Sequence, residues 1–91
     1  MVELNPEEGH YYANASMAML FDLADDIAEL IGGECVARVD AAATEEEREQ
    51  WMQHMFIFNK EKRALGVDDR DAVIAYIIRG RSECDRLRNE W

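Results

Sequence analysis

Few side chains in this chain could make or break a covalent bond. The serines are Ser16 and Ser82, both inside stretches whose spacing predicts helix. Neither sits on a glycine elbow of the kind that exposes a nucleophilic hydroxyl. The phosphate-cradling G-x-x-x-x-G-K pattern, the dinucleotide G-x-G-x-x-G pattern and the C-x-x-C pair are all absent from the sequence. With no nucleophile, base and orienting group to assemble, we expect no catalytic residue, no cofactor and no enzymatic activity.

Metal chemistry is equally thin. Glu7-x-x-His10 has the spacing that places two di-iron ligands on one helical face, but such a site needs a second Glu-x-x-His. The other histidine, His54, has its nearest upstream glutamate at Glu49, the wrong distance away. The pair reads as a surface feature of a helix start. His10, Cys35, His54 and Cys84 would make a zinc set by residue type. Their separations of 25, 19 and 30 residues match no compact zinc module, and no metal ligand is assigned. Both cysteines are expected as free thiols, with Cys84 in the core.

The carboxylates are more informative. Asp22, Asp25, Asp26 and Glu29 recur at i,i+3 and i,i+4, so they share one side of a helix. The pattern is similar to the acidic constellations of all-α nucleotide pyrophosphatases, which would imply a small metal-dependent all-α enzyme binding magnesium through Asp22, Asp26 and Glu29. Those enzymes draw matched acidic pairs from two facing helices, whereas here one helix supplies all four acids and turns them away from its apolar stripe. A solvated acidic face is the simpler reading. No lysine or arginine precedes Arg38, so residues 1–37 carry eight carboxylates and a formal charge of −8 within a total of −10. Residues 60–91 are close to balanced, with eight basic side chains against seven acidic. So lopsided a distribution speaks to partners and association.

Three helices must position these groups. Asn5-Pro6-Glu7-Glu8 has a capping asparagine, proline at the first helical position and acids in the first turn. It opens a helix expected over about 6–31 and ended by Gly32-Gly33. Tyr12, Met19, Leu20, Leu23, Ala24, Ile27, Leu30 and Ile31 form its apolar stripe. Residues 32–43 carry a strand-like alternation of Cys35, Ala37 and Val39, which Val36 breaks, so a loop or short helical turn is expected. Thr44 with Glu47 is a capping box and starts a helix over about 45–65, with Gly66 as its stop. Its middle (Trp51, Met52, Met55, Phe56, Ile57, Phe58) is apolar round more than one face and predicts either a central helix or an oligomer interface. The third helix, about 69–90, opens at Asp68 or Asp69. It carries a heptad-like seam of Val73, Ile77, Gly80, Cys84, Leu87 and Trp91. The fold expected is a single all-α domain over residues 1–91, a three-helix bundle.

The function that follows is a non-catalytic interaction or inhibitor protein. Its acidic face (Glu7, Glu8, Asp22, Asp25, Asp26 and Glu29, with Tyr11 and Phe21 as aromatic anchors) would engage a basic, nucleic-acid-binding protein or nucleoprotein complex. In size, charge and helical pattern the chain is similar to phage-encoded inhibitors of restriction or CRISPR complexes and to bacterial immunity proteins. The alternative is a self-associating structural subunit, a homodimer. The charge disfavours direct contact with nucleic acid. No apolar run of membrane-spanning length occurs, and a cytoplasmic location is expected.

Overall fold

A computed structural model describes residues 11–90. The Asn5-Pro6 cap, Glu7, Glu8, His10 and the terminal Trp91 of the seam lie outside the described residues. The chain is all-α, with no strand among the described residues. Helical residues 11–14 (α1) are followed by α2 (Met17–Ala41), α3 (Glu45–Arg63) and α4 (Arg70–Glu90).

The first long helix differs from the expected 6–31 at both ends. It is interrupted at Ala15-Ser16, where Ser16 is extended and its hydroxyl accepts from the Met19 N–H at 3.1 Å, the geometry of an N-cap. It also runs through Gly32-Gly33 to Ala41, so most of the segment expected as a loop is helix. Each interior glycine costs about 1 kcal/mol against alanine. Ile27, Ile31, Cys35 and Arg38, stepping by 4, 4 and 3, are all buried and carry the stripe across the glycines. Burial at about 1.5–3 kcal/mol for a large apolar side chain outweighs that cost. The strand-like alternation fails accordingly, with Cys35 buried and Ala37 exposed.

The other two helices begin where their caps stand. Thr44 Oγ1 accepts from the Glu47 N–H at 3.1 Å, and Glu47 Oε2 reaches back to the Ala43 N–H at 3.3 Å. α3 ends at Arg63 without a left-handed glycine, so Gly66 is not its terminator. Asp69 caps α4 by accepting from the Ala72 N–H at 3.1 Å.

α2 is the spine of the bundle, packed along α3 on one flank and α4 on the other. Against α4 the approach is close: a Cβ on Gly80 would overlap Ile27 Cγ2 and stand 3.6 Å from Ile31 Cδ1. Val73, Ile77, Gly80, Cys84 and Leu87 are buried as one seam. Arg38 is buried as well, donating to the Leu87 carbonyl at 2.6 Å with its guanidinium 4.6 Å above the Trp51 ring. α3 meets α4 through long side chains: the Phe58 and Tyr76 rings lie 6.1 Å apart, and the Tyr76 hydroxyl donates to the Phe58 carbonyl at 3.3 Å.

Candidate protein-interaction surface

α2 has no exposed basic residue, because its one arginine, Arg38, is drawn inward. Leu20, Ala24, Ile27 and Ile31 face the core; at about 100° per residue Asp22, Glu29 and Asp40 point directly away from it, and Asp26 leans toward the α4 side. All four acids are exposed. Asp25 stands apart from this row. It leans toward α3 and forms an ion pair with Lys62. Asp22, Asp26 and Glu29 make no ion pair with another described residue.

The basic side chains of α4 are mostly engaged elsewhere. Arg70 donates to the carbonyls of Tyr12, Ala13 and Ala15 at 2.6, 3.1 and 2.6 Å. It satisfies the chain end of α1 with a positive charge, where the helix dipole is negative. Arg81 donates to the Tyr12 hydroxyl at 2.8 Å. Arg79 pairs with Glu61 of α3, and Arg86 with Glu83 of its own helix. Arg88 reaches one acid of α2, Glu34, at a long 3.9 Å. Among the described residues no ion pair closes on Asp22, Asp26 or Glu29, although Asp26 shares a hollow with Arg81 and Arg88, and Glu29 one with Lys62 and Arg63.

Of the proposed anchors, Tyr11 is exposed and meets Tyr12 edge-on at 5.5 Å, while Phe21 is half-buried against the core. Glu7 and Glu8 lie outside the described residues. The two aromatics and the acids thus do not form one continuous site, since Phe21 turns partly inward. Met19 and Leu30, expected from their spacing in the apolar stripe, lie at its edges and are exposed, and Val36 is exposed as well. Val36 alone carried a signal, as the residue that broke the supposed alternation.

The apolar middle of α3 divides. Phe58 is buried, and Trp51 and Met55 pack on the core, so these three stabilise the bundle. Met52, Phe56 and Ile57 remain about half exposed, at 50%, 54% and 49%. α3 is not the central helix; α2 is. Phe56 and Asn59 stand between two shallow hollows, one toward Asp25, Ala28 and Glu29 of α2 and one toward Glu45, Glu49 and Met52.

Titratable groups inside the bundle follow their surroundings. Hydrogen bonds from Arg86 hold Glu83 below the usual carboxylate range against its partial burial, aided by the charges of Arg86 and His54, whose Nε2 lies 3.0 Å away. Burial, with the Glu83 charge next, pushes the Cys35 thiol up to about 11, and burial raises Cys84 too. Tyr76 is pushed to about 12, again by burial first and the Glu61 charge second. Both cysteines are free. Among the described residues no three His, Cys, Asp or Glu side chains are placed to hold a metal ion, and no helix is long and apolar enough to cross a membrane. Comparison with protein-family models, curated proteins and solved structures gives no match to this chain.

Proposed function

We propose that this chain is a non-catalytic interaction protein that presents the outer face of α2 to a basic, nucleic-acid-binding protein, in the manner of an inhibitor. The supporting observation is that Asp22, Asp26 and Glu29 stand exposed and, among the described residues, outside any ion pair, while Arg79 and Arg86 of α4 pair with other acids. A row of carboxylates about 5–6 Å apart along a helix offers acceptors at spacings that arginine and lysine side chains can meet. Occupying such cations competes with phosphate and needs neither hydrolysis nor a cofactor. The long-range field of the −10 chain accelerates encounter with a cationic surface. A role in phage anti-defence, of the anti-restriction or anti-CRISPR kind, is the context this mechanism fits, with action in the cytoplasm.

Affinity capture from the host with a salt titration tests it. The captured partner should carry a basic surface, and its retention should weaken steeply with ionic strength. Retention that ignores salt, or that survives Asp22→Asn, Asp26→Asn and Glu29→Gln together, overturns the charge-driven mechanism.

A further inference from the structure

α3 carries a second row that the bundle does not use. Glu45, Glu49, Met52, Phe56, Asn59 and Arg63 step by 4, 3, 4, 3 and 4 residues, and every one of them is exposed. A 3–4 alternation forms a seam along one side of a helix, the geometry by which two helices pair. This seam also reads as its own complement in reverse. Turned end for end about its centre, Glu45 falls opposite Arg63, Glu49 opposite Asn59, and Met52 opposite Phe56. The charge gradient behind it is strong, with Glu45, Glu46 and Glu47 in the first turn and Lys60, Lys62 and Arg63 in the last.

We infer that α3 is the interface of an antiparallel homodimer, two copies of this chain packing along that seam about a two-fold axis near residue 54. A two-fold interface uses the same patch on both copies, so each favourable pair occurs twice. Two Glu45–Arg63 pairs close the ends, two Met52–Phe56 contacts fill the middle, and on one flank Glu46 faces Lys60 of the second copy. On the other flank Arg48 faces Lys62 of the second copy, whose charge Asp25 already balances. A parallel pairing would set Glu45 against Glu45 and Arg63 against Arg63 and is disfavoured at both ends. Ile57, about a quarter turn round the helix, stays outside the seam.

The inference goes beyond the acidic-face reading and does not depend on it: the seam is built from α3 alone, and of the acidic row Glu29 borders it beside Phe56 and Asn59. One helix pair of 19 residues, about 28 Å long, is a small interface. The dimer should therefore assemble at high micromolar concentration in the full chain. Sedimentation equilibrium up to about 1 mM should follow a monomer–dimer curve, and a monomer throughout overturns the inference. Phe56→Glu should abolish the dimer with the helical circular dichroism unchanged; a folded Phe56→Glu chain that still dimerises overturns it too. Arg63→Glu should weaken association roughly tenfold, and adding Glu45→Arg should restore it; a double variant as weak as the single refutes the antiparallel register. Orientation is read by oxidation. Glu45→Cys chains mixed with Arg63→Cys chains should cross-link to each other, whereas dominant Glu45→Cys self-cross-links would mean parallel pairing.

Discussion

At the scale of single residues, the two ends of glycine's usefulness sit in the same bundle. Gly80 is where α4 lies on α2, and a methyl there would press on the β-branched Ile27, which has little rotamer freedom to move aside. Gly80→Ala should destabilise the protein by about 1–3 kcal/mol despite alanine's better helix propensity. Gly33 is the control, since a Cβ there meets nothing within 4 Å and the residue lies in mid-helix. Gly33→Ala should stabilise by about 0.5–1 kcal/mol. Urea melts of the two variants check both signs, and equal effects would mean that the α2–α4 approach is looser than described. Titratable residues set the pH limits. Glu83 has a lowered folded pKa, so its contribution is present above the unfolded value near 4.5 and is lost as pH falls through the folded value. Cys35 and Tyr76 have raised folded values, about 11 and about 12. Their contributions are full below the unfolded values of 9.0 and 10.0 and are lost as pH rises through the folded ones. Stability should show an acid limb flattened by Glu83→Gln and an alkaline limb flattened by Cys35→Ala. Denaturation midpoints measured across pH would expose any other shape.

At the scale of elements, the chain end of α1 depends on one side chain more than 50 residues away. Arg70 makes three charge-assisted hydrogen bonds to carbonyls at residues 12–15, and such bonds contribute more than neutral ones. Arg70→Gln should cost about 2 kcal/mol and should speed amide exchange selectively around residues 11–16; uniform exchange changes would mean that Arg70 acts on the whole bundle. The sequence announced some of these elements and hid others for physical reasons. Thr44, Glu47 and Asp69 act as caps where they stand, because a cap is a local contact that four residues can specify. The seam from Val73 to Leu87 was legible because its period is that of a helix pair. Gly32-Gly33 misled, since propensity is local while the burial that carries α2 onward to Cys35 and Arg38 comes from other helices, from Trp51 of α3 and Leu87 of α4 in the case of Arg38. Ser16 was overlooked because the apolar stripe continues on both sides of the break. In the candidate site, the separation of Asp22, Asp26 and Glu29 from the core could be read from spacing. The engagement of Asp25 by Lys62 and of Arg81 by Tyr12 could not, because those contacts depend on how helices cross.

At the scale of the whole molecule, the charge is not scattered, and its placement works against stability. Along α2, Asp22 with Asp25 and Asp26, and Glu29 with Asp25 and Asp26, are like-charged at i,i+3 or i,i+4, and each such pair costs about 0.2–0.5 kcal/mol. Of these four, Asp25 alone forms an ion pair among the described residues. A surface kept for folding alone would place lysines there, as i,i+4 pairs of opposite sign reverse the cost. Replacing Asp22, Asp26 and Glu29 with their amides should therefore raise stability by about 1 kcal/mol, or about 4–8 °C in a chain of this length. The same change should weaken capture of a basic partner. The gain in melting temperature should shrink as salt is added, because screening already relieves the repulsion in the parent chain. Calorimetry of the triple-amide variant at low and high salt, beside the capture experiment, separates the possibilities. A variant that is more stable and binds less places the acids in recognition at the expense of the fold. A variant that is less stable would mean that the three carboxylates hold the bundle together, and the face would then need no partner to explain it.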